Sequence, residues 1–98
     1  MLDIQPRDLK ILTEILNQEF TEKTEIYAFG SRVKNCARRY SDLDLLLKPE
    51  QVLSHQFVDN IQDVLSESEL SIKVDLVQWQ TIDADFKAKI ESQLVRVK

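Results

Sequence analysis

The stretch YAFGSRVKNCARRYSDLDLLL, residues 27–47, contains the only glycine in a chain of 98 residues. An average glycine content of ~7% would give about seven in a chain of this length. The glycine, Gly30, stands directly before Ser31 at the end of an apolar run, and the stretch closes with two aspartates one residue apart, Asp42 and Asp44. The position of the glycine and the spacing of the aspartates need a common explanation.

The segments on either side of this stretch predict helices and strands in alternation. Apolar residues recur every three or four positions in residues 6–20, which indicates a helix with one buried stripe, and residues 49–66 repeat the pattern. Short runs of β-forming, alternating or wholly apolar residues predict three strands, at 25–29, 42–47 and 72–79.

The remaining segments predict shorter elements. Residues 31–40 have no clean period and many charges, which indicates a short helical turn and a loop. Thr81 or Asp83 can cap a short helix that runs through Ile90, and residues 94–97 predict a small edge strand or a packed tail. The order of elements favours an α/β sandwich with one small sheet, although the pattern does not set the direction of its strands.

Composition limits the possible classes of function. Residues 1–98 suit one domain, and the formal charge of -4 disfavours nonspecific binding to nucleic acid. One Cys and one His exclude both an internal disulfide and a Cys/His zinc site. The first ten residues do not resemble a secretory signal, and no apolar run approaches the ~20 residues that a membrane span requires. We therefore expect a cytoplasmic protein.

The acidic residues predict a metal site. Residues two apart in a strand face the same way, so Asp42 and Asp44 place two carboxylates on one face, roughly 6.5 Å apart along the backbone. Asp75 offers a third carboxylate from another predicted strand. Such neighbours repel each other unless a cation neutralises them, and oxygen ligands favour Mg²⁺ or Mn²⁺. Three carboxylates could hold two ions about 3.5 to 4 Å apart for in-line phosphoryl-type transfer.

The glycine fits the same chemistry. A strand that ends in Gly30 and Ser31 and opens a helical turn exposes N–H groups and a hydroxyl, and the missing Cβ lets a phosphate approach. The following loop carries positive charge suited to a triphosphate, from Arg32, Lys34, Arg38 and Arg39. Arg32 and Lys34, which lie nearest Ser31, are the strongest candidates for phosphate contact.

The compound motif identifies a family by resemblance. Gly30-Ser31, ten further residues and then Asp42-Leu43-Asp44 resemble the G-S-x10-D-x-D signature of minimal nucleotidyltransferases in the DNA polymerase beta superfamily. The resemblance covers nearly the whole chain and implies a small mixed β-sheet flanked by helices. One difference concerns Asn35, where such proteins often have glycine. Asn tolerates left-handed backbone better than most residues, so the turn can be kept.

The resemblance also implies the roles of the site residues and a partner. It makes Asp42 and Asp44 metal ligands, Asp75 the third carboxylate, and Gly30 with Ser31 the contacts of the nucleotide phosphates. Mg²⁺ is the expected metal, with Mn²⁺ possible, and ATP the expected substrate. Many members are antitoxins encoded beside a small all-helical HEPN-type protein, to which they transfer AMP from ATP.

Other readings of these residues stay open. Asp42 could be a polar residue at a strand entry, Asp44 could be a solvated residue on the outer face of the sheet, and Asp75 could pair with Lys73 on a solvated face. A binding antitoxin that covers its partner without transfer is the alternative function, and a polymerase would need a template surface that so short and acidic a chain does not offer. Cys36, His55, Trp79 and Phe86 are assigned no site.

The acceptor is expected to be a protein. The sequence shows no second domain that would close over a small acceptor and hold it against the metals. An open site suits a hydroxyl presented by another protein, and the resemblance to the antitoxin branch favours Tyr over Ser or Thr.

Overall fold

The computed structural model describes residues 2–30, 32 and 42–98, and these residues contain three helices and four strands. Two 3₁₀ turns, Trp79–Thr81 and Glu91–Gln93, flank the last helix. The helices are α1 (Pro6–Glu19), α2 (His55–Glu67) and α3 (Ala84–Ile90); the strands are β1 (Glu25–Phe29), β2 (Leu43–Lys48), β3 (Val74–Gln78) and β4 (Val95–Arg96).

The four strands form one mixed sheet in the order β3-β2-β1-β4. β2 runs antiparallel to β1 and parallel to β3, and β1 runs antiparallel to β4. The apolar run of β2 is explained by its position, because this strand has a neighbour on each side and Leu43, Leu45, Leu46 and Leu47 are fully buried. The predicted small mixed sheet flanked by helices is confirmed.

Each face of the sheet is covered by different helices. The main core packs α1 and α2 against one face, with Leu12, Leu16, Ile26, Leu45 and Ile61 among its buried members. A smaller core on the opposite face contains Phe29 and Leu46 of the sheet and Ile90 of α3. Because side chains alternate along a strand, Asp44 lies on the same face as Leu46, the face that α3 covers only in part.

The second helix begins later than the sequence predicts. It starts at His55, with Ser54 as its N-cap: the Ser54 hydroxyl accepts the N–H of Phe57 at 3.1 Å. Leu53 continues the apolar pattern, but its N–H donates to Gln78 Oε1 at 2.8 Å and its carbonyl accepts Gln78 Nε2 at 3.0 Å. The predicted start near residue 49 was therefore wrong, because a side chain from β3 binds this part of the backbone.

The other elements lie close to their predicted positions. α1 begins at Pro6, β1 spans the predicted residues, and Asp83 caps α3 by accepting the N–H of Phe86 at 2.8 Å. The tail forms the short edge strand β4, which pairs with β1. The helical turn and loop predicted for residues 31–40 lie outside the described residues, apart from Arg32. The longest helix in the described part, α1, has 14 residues, and none there has the length and apolarity to cross a membrane.

Candidate active site

The predicted carboxylates meet where β2 and β3 begin. The register of the two parallel strands pairs Asp44 with Asp75, so both side chains leave the sheet on the same face. Asp42 lies one residue before β2, and the N–H of Leu43 donates to the carbonyl of Lys73 at 2.8 Å, which fixes the two strand entries side by side. The structure thus brings together the three acidic residues that the sequence singles out.

Their environment disfavours negative charge. Burial raises the pKa of Asp44, and the charges of Asp75 and Asp42 raise it further. Burial also raises the pKa of Asp75, together with a hydrogen bond to the Asp42 side chain, while Lys73 acts in the opposite direction. The Lys73 ammonium stands 3.9 Å from Asp75 Oδ1, and both side chains are partly exposed, so this pair relieves only a small part of the repulsion.

The carboxylate oxygens fit a hard cation, provided that a bound ligand supplies the remaining donors. Within residues 2–30, 32 and 42–98, no three or more His, Cys, Asp and Glu side chains are arranged to hold a metal ion by themselves. The carboxylate oxygens present are nevertheless the donors that Mg²⁺ prefers, and Mg²⁺ is commonly bound by one or two carboxylates together with substrate phosphates. Metal ligation by Asp42, Asp44 and Asp75 stays a prediction, and the residues are chemically suited to it.

Gly30 adjoins these carboxylates at the end of β1. Its φ of 87° lies in the left-handed region that glycine adopts at no steric cost. A Cβ at this position would stand 2.6 Å from Asp44 Oδ2, closer than real Cβ contacts. The backbone conformation and the neighbouring carboxylate together account for the only glycine of the chain.

The N–H of Gly30 already has an acceptor. It donates to Gln93 Oε1 at 2.7 Å, across 63 residues of sequence. The predicted contact of Gly30 with a nucleotide phosphate stays a prediction. The structure shows that the Gly30 N–H is already hydrogen-bonded to Gln93.

Of the three other predicted phosphate contacts, the structure describes one. Ser31 and Lys34 lie outside the described residues. Arg32 is buried, and its Nη1 donates to the carbonyl of Asp3 at 2.9 Å, while the Arg32 carbonyl accepts the N–H of Asp3 at 2.7 Å. The guanidinium thus contacts the segment before α1, and the predicted contact with phosphate stays a prediction.

A cleft of about 640 Å³ extends from the carboxylates toward α3. Phe86 forms part of its wall, edge-on to Phe29 with 5.8 Å between the ring centroids. Sequence analysis assigned no site to Phe86. It also found no pattern that points to a functional role for three polar residues that line the cleft, Gln62, Lys89 and Gln93. Their positions follow from helix packing across the sheet, which periodicity within one segment does not show.

Gln62 of α2 fixes the backbone on both sides of Asp75. Its Nε2 donates to the carbonyl of Val74, and its Oε1 accepts the N–H of Leu76 at 3.1 Å. β3 is an edge strand, so these groups would otherwise lack partners in the sheet. The side-chain amide of Gln62 therefore replaces the missing neighbour strand at the level of the third carboxylate.

Comparison with known proteins places this site in a family. Residues 10–97 match the family model described as Polymerase beta, Nucleotidyltransferase. The chain is 40% identical over 97 residues to the probable protein adenylyltransferase MntA of Haemophilus influenzae, an alignment that covers 99% of this chain and 84% of that protein.

Solved structures show the same fold at lower identity. A toxin-antitoxin crystal structure with AMP-PNP aligns with a TM-score of 0.78 and 21% identity, covering 92% of this chain and 72% of that one. The complex of the tri-AMPylated Shewanella oneidensis HEPN toxin with its MNT antitoxin aligns with a TM-score of 0.72 and 20% identity, covering 97% and 72%. These matches confirm the polymerase beta-like fold that the resemblance implies. The chain belongs to the polymerase beta nucleotidyltransferase family.

Proposed function

We propose that residues 1–98 act as one minimal nucleotidyltransferase domain that transfers AMP from ATP to a hydroxyl of a partner protein, as the antitoxin of a HEPN/MNT toxin-antitoxin pair. The observation that carries the proposal is the pairing of Asp44 with Asp75 on parallel strands, with Asp42 beside them. It is supported by a relative named as a probable protein adenylyltransferase at 40% identity over almost the whole chain.

The carboxylates would hold Mg²⁺, or Mn²⁺, against the phosphates of ATP. The bound ion would polarise the phosphate oxygens and neutralise charge as it develops. Without such a cation, the raised pKa values of Asp44 and Asp75 reflect unfavourable negative charge, so the site favours cation binding. Asp42 and Asp44 at the β2 entry would be the principal ligands, with Asp75 as the third.

Asp75 would also take the proton of the acceptor. Its carboxyl borders the cleft, where an acceptor hydroxyl could approach it, and an ionised carboxylate can act as a general base. The acceptor oxygen would form a bond to the α-phosphorus of ATP as the bond from that phosphorus to the bridging oxygen breaks. Pyrophosphate would leave, and the hydroxyl proton would pass to a carboxylate oxygen of Asp75.

The acceptor would be a side-chain hydroxyl of a small helical HEPN-type protein. The solved structures with this fold include an MNT antitoxin in complex with a tri-AMPylated HEPN toxin. The cleft between β3 and α3 gives a hydroxyl on a loop or tail of such a partner a route to Asp75. We favour Tyr as its source because of the resemblance to the antitoxin branch. Because ATP is the proposed AMP donor, we also propose that the protein acts in the cytoplasm.

Mass spectrometry of the partner distinguishes transfer from binding alone. The HEPN-type protein encoded beside this chain would be incubated with the chain, ATP and Mg²⁺. A parallel sample would contain EDTA. The proposal predicts a gain of one or more AMP units only in the sample with Mg²⁺. A partner that co-elutes tightly in size-exclusion chromatography, yet keeps its mass in both samples, would support the antitoxin that acts by binding.

A further inference from the structure

The contact between Gly30 and Gln93 continues the ladder between β1 and β4. The N–H of Ile26 donates to the carbonyl of Lys98 at 3.1 Å, and the Ile26 carbonyl accepts the N–H of Val97 at 2.8 Å. Alternate residues of an antiparallel strand bond to the same neighbour, so the backbone groups of Ala28 and the N–H of Gly30 also point toward β4. β4 begins only at Val95, and the side chain of Gln93 supplies the next acceptor.

A second hydrogen bond orients the Gln93 amide. Its Nε2 donates to the carbonyl of Lys89 at 3.1 Å, near the C-terminus of α3. With the nitrogen engaged there, the oxygen is left to face Gly30, which is the orientation that its N–H requires. The side chain thus connects α3 with the end of β1, two elements whose residues also line the cleft beside the carboxylates.

Gly30 is held between two side chains on opposite sides. Asp44, whose strand pairs with β1 through Phe29, lies where a Cβ would point, and Gln93 binds the N–H on the β4 side. A shift of the Gly30 peptide would alter its distance from Asp44. It would also alter the direction in which the chain leaves β1 for residues 31–40, the loop predicted to contact the nucleotide.

We propose that Gln93 is a positioning residue of the nucleotide site: its amide oxygen fixes Gly30 beside Asp44, and this hydrogen bond persists when nucleotide binds. Gly30 then serves the site through its missing Cβ, while the phosphates use donors other than its N–H. The nucleotide part of the inference rests on the proposed function, whereas the hydrogen bond and its structural role can be measured without any nucleotide.

The single glycine makes a direct test possible. A protein labelled only with ¹⁵N-glycine has one backbone amide signal in its NMR spectrum, that of Gly30. We expect this amide to exchange slowly with solvent in the wild-type chain. Gln93→Met keeps the side-chain length but removes the acceptor, and should speed exchange by about tenfold, as for the loss of one hydrogen bond.

Gln80→Met is the matched control. It also removes a hydrogen bond from a glutamine side chain to the backbone, that from Gln80 Nε2 to the carbonyl of Pro49 at 2.8 Å, but Gln80 does not line the cleft. We expect the Gly30 signal and its exchange rate to be unchanged in this variant. Fast exchange in the wild-type chain would overturn the inference even if Gln93→Met failed to fold, and so would equal exchange in the two variants.

Nucleotide addition tests the second half of the inference. With Mg²⁺ and a non-hydrolysable ATP analogue, the Gly30 signal should move while its exchange stays within about twofold of the free protein. Gln93→Met should raise KM for ATP by about tenfold, with a smaller change in kcat, because it disturbs binding geometry more than the reacting groups. Loss of protection on nucleotide binding would overturn the inference. A protected Gly30 in a chain that binds no nucleotide would instead refute the proposed function and leave the Gly30–Gln93 bond established.

Discussion

Asp44 and Asp75 stand at the same level of two parallel strands, and the charge of Asp75 raises the pKa of Asp44. Like charges so placed destabilise the folded chain unless a cation or a proton neutralises them. The fold keeps them together through the Leu43–Lys73 backbone hydrogen bond and the two contacts of Gln62 with β3. Such an arrangement is expected where carboxylates bind a metal, and it has consequences for stability as well as for activity.

Asp44→Asn should raise the melting temperature of the metal-free protein at neutral pH. The amide has nearly the same volume and removes one of the repelling charges. For a carboxyl whose folded pKa is raised, the stability present below its ordinary pKa of 3.8 is lost as pH rises through the folded value. The advantage of the variant should therefore disappear in acid.

Thermal unfolding in EDTA at neutral and acidic pH checks this prediction. In a domain of this size, each 1 kcal/mol corresponds to about 4–8 °C. Asp59→Asn, at an exposed position of α2, is the control and should leave the melting temperature unchanged. A lower melting temperature for Asp44→Asn than for the wild-type chain in EDTA at neutral pH would contradict the electrostatic account.

Substitution of Gly30 should damage both stability and nucleotide affinity. Gly30→Ala adds about 1–2 kcal/mol of left-handed backbone strain and places a Cβ against Asp44. Gly30→Asn introduces the same Cβ with less backbone strain, because Asn tolerates this conformation. We expect Asn to unfold at a higher temperature than Ala, but both to bind ATP weakly in calorimetry. Wild-type affinity in either variant would show that contact with the Asp44 carboxylate is unimportant.

Gln62→Met should impair transfer more than it lowers stability. It leaves the carbonyl of Val74 and the N–H of Leu76 without their present partner, at a partly buried edge of the sheet. We expect a loss of about 1 kcal/mol in urea unfolding and at least a tenfold loss in kcat, because Asp75 lies between the two freed groups. Gln80→Met serves again as the control, and an unchanged kcat for Gln62→Met would refute this role.

Asp8→Asn should destabilise the chain at neutral pH. Asp8 is 2% exposed and accepts the hydroxyl of Ser71 and also its N–H, the latter at 3.0 Å. Burial alone would raise the pKa of Asp8, but these bonds, with Arg7 and Arg32, lower it overall. A lowered pKa stabilises the fold above the ordinary value of 3.8, and that contribution is lost as pH falls through the folded value.

Urea unfolding measures this effect. We expect Asp8→Asn to lose about 1–3 kcal/mol at neutral pH and the difference to shrink in acid. Glu14→Gln, an exposed acidic residue on the same helix, should leave the unfolding midpoint unchanged. If the unfolding midpoint of Asp8→Asn equalled that of the wild-type chain, the hydrogen bonds between α1 and the segment before β3 would not contribute to the free energy of unfolding.

The sequence predicted those features that depend on residues within one short segment, and missed those that depend on contacts between distant segments. The apolar run of β2 indicated a strand that enters the core, and the G-S-x10-D-x-D spacing indicated the acidic site. Periodicity carries no strand direction, so the parallel pairing of β2 with β3 appeared only in the structure. The start of α2 was misplaced because Gln78, 25 residues away, binds the backbone of Leu53. Gln93 was missed for the same reason, since its contact with Gly30 spans 63 residues.

AMP transfer by Asp44→Asn tests the central claim most directly. The wild-type chain, Asp44→Asn and Asp59→Asn would each be incubated with the helical partner, ATP and Mg²⁺, and pyrophosphate release and the intact mass of the partner followed in time. We predict that the wild-type chain and Asp59→Asn add AMP at equal rates, and that Asp44→Asn, although folded, loses at least about 100-fold in rate. Transfer by Asp44→Asn within about twofold of the wild-type rate would contradict a metal site built on these carboxylates.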